Sequence, residues 1–169
     1  MIQALRLFRF RLFFILKTFN GEFMSVKYET ENEILLLVES FENGTIPRGE
    51  WNHAGHLTVA LYYCAYHDLE TAKDKMRRNL LHHLKAIGID FTKEMPYHET
   101  LTAFWMRAVD DFRKSKTGAS LVETANELIA GYDKDYPLRF YSRELLFSDE
   151  ARARFVEADL EENVLSGLQ

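Results

Sequence analysis

Apolar residues recur at helical spacing through most of the chain, and caps and stops divide the pattern into segments. Ile34, Leu37, Val38 and Phe41 share one face of a segment that opens on the capping box Thr30-Glu-Asn-Glu33 and stops at Gly44. This spacing predicts a first amphipathic helix to about Asn43. A short loop with Pro47 and Gly49 follows. The second segment, about Trp51 to His67, carries no Asp, Glu, Lys or Arg, and its apolar residues point all round the wheel. Such a helix must be enclosed by its neighbours. Polar and small residues interrupt it, so it reads as a core helix and not a membrane span.

The third helix starts after Asp68, a good N-cap, and ends at Gly88. Met76, Leu80, Leu84 and Ile87 line one side, and Lys73, Lys75, Arg77, Arg78 and Lys85 form a solvated basic face; the neighbours His82 and His83 are expected on that face. A fourth helix is predicted from about Tyr97 to Lys114, with Leu101, Trp105, Ala108, Val109 and Phe112 on one side. Ser120-Leu-Val-Glu123 is a second capping box, opening a fifth helix that Gly131 ends. Tyr136 to Phe147 is ambiguous, and Ser148 caps a last short helix to about Val156. There is no repeat and no convincing strand alternation. The expected fold is therefore all-α: a single compact bundle of five to six helices with a buried second helix.

Composition narrows the function classes. A chain of 169 residues fits one domain, and 13 Phe with 8 Tyr give it ample core material. It can fold without disulfides, and its single cysteine, Cys64, excludes an intrachain one. That fits a cytoplasmic, reducing setting. The net charge of −5, with no Lys/Arg cluster on the main body, argues against nucleic acid as a partner.

Residues 1–23 stand apart. Arg6, Arg9, Arg11 and Lys17 against Glu22 give this segment +3, which leaves −8 on the remainder. Its uncharged apolar run, Leu12 to Leu16, is too short to span a bilayer. The segment reads as a basic targeting or membrane-surface extension, as a signal peptide lacking a small-residue cleavage site, or as non-native sequence. The last reading is favoured because Met24 begins MSVKYETENE, an ordinary start. The expected organisation is an N-terminal extension over 1–23, a helical domain over 24–160 and a tail over 161–169.

The candidate chemistry lies in the histidines. On the second helix His53, His56, Ala60, Tyr63, Cys64 and His67 form a continuous stripe. His98 lies at the start of the fourth helix, with Glu99 beside it and Thr102 and Trp105 on the following turns. If the two helix starts share one end of the bundle, three imidazoles and a carboxylate converge. Three neutral imidazoles with water or Glu99 as fourth ligand would suit a divalent metal such as zinc or iron. The same imidazoles could act as general acids and bases on an organic substrate without metal. They could also be structural, satisfied by carbonyls or Tyr hydroxyls. Trp51 and Trp105 are core anchors whose rings could wall a small-molecule pocket, and Tyr63 and Thr102 complete that expected lining. Cys64, mid-helix in apolar surroundings, is not expected to be a nucleophile.

Trp51-x-His53-x-x-His56-Leu57, Tyr97-His98-Glu99-Thr100-x-Thr102 and the stretch from Tyr141-Ser142 to Ala151-Arg152 resemble a family of small, all-helical bacterial proteins to which no activity attaches. The resemblance covers about Thr30 to Leu160 and implies that these motif positions belong together. The general architecture is similar to three-histidine metal-binding bundles of the DinB type, although the histidine spacing differs. The sequence thus points to a small-molecule enzyme or binding protein, with a regulatory or interaction module as the contrasting class.

Overall fold

The computed structural model describes residues 27–160; the expected extension over 1–23 and the tail over 161–169 lie outside them. Five long helices carry the fold: α1 (Glu31–Glu42), α2 (His53–Tyr66), α3 (Leu69–Ala86), α4 (Glu99–Ser115) and α5 (Leu121–Gly131). A 3-10 turn (Tyr136–Arg139) and two short helices follow, α6 (Arg143–Leu146) and α7 (Asp149–Ala153). The described residues contain no strand, so the expected all-α bundle is what the chain forms. No described helix is long and apolar enough to cross a membrane.

The caps act where the sequence places them. The Glu33 carboxylate accepts from the amides of Glu29 and Thr30 at the start of α1. At α5, Ser120 and Glu123 bond reciprocally, with Glu123 N–H to Ser120 Oγ at 3.2 Å and Ser120 N–H to Glu123 Oε2 at 2.9 Å. Gly44 ends α1 at φ +64°, and a Cβ there would lie 2.7 Å from Ala86 Cβ. Glycine therefore allows both the left-handed turn and the close approach of α1 to α3.

The uncharged α2 is the centre of the bundle, packed against α1, α3, α4 and α5. Leu57, Thr58, Val59, Ala60, Leu61, Tyr63 and Cys64 are all buried, and only the last turn, at Ala65 and Tyr66, is exposed. Each fully buried Leu or Val contributes roughly 1.5–3 kcal/mol. Ile34 and Phe41 of α1, Met76 of α3, Met106 and Val109 of α4, and Leu128 of α5 close around it.

The boundaries shift where side chains take over as caps. α2 starts at His53 because Asn52 is the N-cap, its side chain accepting from Gly55 N–H. α4 starts at Glu99 because His98 is the N-cap. α7 stops at Ala153, short of Val156, because Thr100 holds the next residues extended: its hydroxyl donates to Arg154 O and accepts from Val156 N–H. The Tyr141 hydroxyl holds the same segment through Val156 O.

Candidate functional site

Local sequence folds Trp51 back over the first turn of α2. Its indole lies flat on Phe41, with centroids 4.3 Å apart and planes 6° apart. Gly55 makes room, since a Cβ there would sit 3.2 Å from the indole ring. The indole N–H, a donor only, points at His56 Nε2 over 2.7 Å. Nε2 must therefore carry the lone pair, and Nδ1–H donates to Asn52 O at 3.0 Å. Both nitrogens of His56 are committed. Protonating Nε2 would set it against the Trp51 N–H. Burial, with His53 and His83 nearby and only the Asn52 carbonyl opposing, pushes the imidazole down to about 4.

His98 is committed in a different place. As N-cap of α4 its Nδ1 accepts from Leu101 N–H at 3.2 Å, so Nε2–H donates to Leu146 O at 2.7 Å. The buried ring thus ties the start of α4 to the end of α6. Burial lowers its pKa, and the Leu146 carbonyl opposes that shift.

His53 differs from both. Its Nε2–H donates to Tyr132 O at 3.0 Å, beyond the end of α5. Nδ1 then holds the lone pair, and no described residue occupies it. The ring meets the Trp105 indole edge-on, centroids 4.8 Å apart. Trp105 in turn contacts Tyr132 and Tyr136, at 6.3 and 6.1 Å. Burial lowers the His53 pKa, opposed by the Tyr132 carbonyl and the Asp133 carboxylate. His53 is therefore a neutral, oriented base at the edge of an aromatic cluster.

Glu99 accepts a bidentate pair from Arg77 of α3 and the Tyr97 hydroxyl at 2.6 Å, and the Arg77 guanidinium holds its carboxyl below the usual range. That carboxylate is occupied in joining α3 to α4. Thr102 Oγ1 donates to His98 O. Tyr63 is fully buried and turns to α1 and α3, donating to Glu42 and accepting from Asn79. Cys64 is buried and its thiol is pushed up to about 12 by that burial. Thus Trp105 shares a surface with His53, Trp51 shares one with His56, and His98 lies with Leu146. Among the described residues no group of three or more His, Cys, Asp or Glu side chains is placed to hold a metal ion.

Two features of the site have no counterpart among the expected residues. The Tyr132 and Leu146 carbonyls that fix His53 and His98 are backbone groups, which residue type does not reveal. His83 was expected on the solvated face of α3, as was His82. His82 is exposed, but His83 is 0% exposed. It extends the Ala72, Met76, Leu80 stripe one turn further, a periodicity that was available in the sequence. Its ring lies 5.6 Å from Trp51 and 5.8 Å from Phe41, and neither nitrogen has a partner among the described residues. An unpaired buried polar group costs about 1–3 kcal/mol. His83→Leu should therefore raise stability in denaturant unfolding by about 1–2 kcal/mol. A loss instead would mean that water or a ligand satisfies the imidazole.

Comparison of the chain with protein-family models, with curated proteins and with solved structures gives no match.

Proposed function

We propose that the protein is a small-molecule binding protein or enzyme whose working group is the His53 imidazole. The supporting observation is the open Nδ1 lone pair, aimed by the Nε2–H bond to Tyr132 O. A carbonyl that fixes the tautomer and a nearby carboxylate that favours charge on the ring are the supports a general base needs. The half-buried Trp105 ring, edge-on to His53, supplies an apolar contact beside it. The ligand is an organic molecule with an apolar ring and one weakly acidic O–H or N–H, which it presents to Nδ1. A metal-assisted version of this chemistry would have to bind at Nδ1 with water completing its shell, since His56 and His98 offer no free lone pair. The single buried cysteine fits a reducing compartment, and this reading locates the protein in the cytoplasm.

The contrasting reading, a module whose histidines only fix packing, is favoured by His56 and His98, where both ring nitrogens bond within the chain. His53 separates the two. Phenol titrated into the isotopically labelled full chain should move the His53 and Trp105 NMR signals together. His53→Phe keeps the ring against Trp105 and removes the nitrogen, so it should weaken phenol by up to about tenfold, the worth of one hydrogen bond. Equal affinity in the variant, or no shift at His53, would remove the proposal.

A further inference from the structure

Four rings from four segments meet at one corner of the bundle: Phe41 of α1, Trp51 of the following loop, His56 of α2 and His83 of α3. Trp51 is the centre. Its indole stacks on Phe41 at 4.3 Å and meets His56 at 4.4 Å and His83 at 5.6 Å. The next residue, Asn52, accepts the His56 Nδ1–H on its carbonyl and caps the Gly55 N–H with its side chain. His53 follows at once as the first residue of α2. The contacts that seat Trp51 therefore also seat the turn that carries His53.

Two features of the closed corner favour the same movement. The indole N–H needs a lone pair on His56 Nε2, and a proton added there sets donor against donor. His83 is sealed under Trp51 and Phe41 with neither ring nitrogen partnered among the described residues. Release of Trp51 would give water a path to that imidazole and remove the cost of leaving it unpaired. The neighbouring charges do not hold the corner shut around a proton. His53 and His83 disfavour charge on His56, and His82 disfavours it on His83. Glu42 of α1 is turned to Tyr63 and Lys75, Arg48 and Glu94 pair with each other, and Lys85 of α3 is exposed. Glu50, beside Trp51 in the loop, is not among the groups that act on either imidazole.

We infer that this corner is a clasp that opens when His56 takes a proton, and that its opening frees the first turn of α2 and turns His53 away from Tyr132. The consequence, loss of ligand at His53 in acid, rests on the reading of His53 as the working group; the movement itself does not.

The test follows the isotopically labelled full chain by NMR from about pH 7 to about pH 4. It reads the Trp51 indole N–H, the His53 Nε2–H and the methyls of Leu128, which is buried on α5. A proton added to His53 itself goes to Nδ1 and leaves the Nε2–H bond to Tyr132 O in place. The expected result is loss of the Trp51 and His53 signals to solvent exchange at one shared midpoint, with Leu128 unmoved. His56→Gln, which accepts from Trp51 without titrating, should retain both signals across the window. His83→Leu lacks the imidazole that gains from opening, so its midpoint should move to lower pH. Phenol affinity should fall more steeply with acid in the parent than in His56→Gln, by up to about a further tenfold per pH unit, the limit for one linked proton. Retention of the Trp51 signal throughout, or its loss together with Leu128, would overturn the clasp. Separate midpoints for Trp51 and His53, or unchanged behaviour in a folded His56→Gln protein, would overturn the coupling. Failure of phenol to bind at neutral pH would remove the reading of His53 as the working group and leave the clasp to be decided by the ring signals.

Discussion

Acidification from pH 6.5 toward pH 4 is expected to destabilise the fold through His56, at up to about 1.4 kcal/mol per pH unit. The sign follows from proton counts. Unfolded, the imidazole titrates near its ordinary 6.5; folded, burial holds it neutral down to about 4. Between these values the unfolded chain binds the extra proton, so stability falls as pH falls. Above 6.5 both states are neutral and the effect vanishes. Integrated over the window, His56 accounts for about 3 kcal/mol, an upper value because the ring keeps partial solvent access. That is a large share of the 5–15 kcal/mol typical of a domain.

Geometry supplies the cause. The Trp51 N–H occupies the position that the new proton would take, so a charged His56 must break the bond and loosen Trp51 from the first turn of α2. His56→Gln tests this, because the amide can accept from Trp51 and donate to Asn52 without titrating. Urea unfolding at a series of pH values should show the acid slope of the parent reduced in His56→Gln, with the two chains differing in slope only between the two pKa values. Glu99 and Asp110, whose carboxyls lie below their usual range, lose their contributions at lower pH and do so equally in both proteins. Parallel slopes across the window would show that His56 protonates without breaking its contact with Trp51.

The fold was legible because its signals are local. Two capping boxes, the Asp68 cap, the stops at Gly44 and Gly88 and the uncharged stretch of α2 each act within a turn or two of their own sequence. The candidate site was legible only as a set of residue types. Convergence of His53, His56 and His98 is conditional, in the sequence, on the two helix starts sharing one end of the bundle, and each of the three is fixed by a different group. His53 bonds a carbonyl 79 residues away and His98 one 48 residues away, while His56 takes an indole N–H five residues before it. Backbone carbonyls have no signature in sequence, and which one faces a ring is decided by how the short elements after α5 return across α4. The burial of His83 was a different kind of miss. Its place on the α3 stripe was readable, but its adjacency to His82 and the nearby lysines and arginines drew it to the wrong face.

These placements give His98 a structural assignment with a measurable size. His98→Ala should cost about 3 kcal/mol. Loss of the N-cap bond to Leu101 N–H contributes about 1 kcal/mol. The Leu146 carbonyl, left without its donor, contributes about 1–3 kcal/mol more. A chain of this length then melts roughly 6–12 °C lower. His98→Asn is the discriminating companion. Asn is a strong N-cap but too short to reach Leu146, so it should recover the capping part and leave the carbonyl part lost. If His98→Ala instead melts with the parent, the bond to Leu146 carries no net stability and the imidazole is free for chemistry at the bundle end. If His98→Asn restores the parent fully, the cap alone is what the residue supplies. An intermediate value for Asn would assign His98 to both tasks, holding α6 against α4 and leaving His53 as the histidine of the three with a lone pair to offer a ligand.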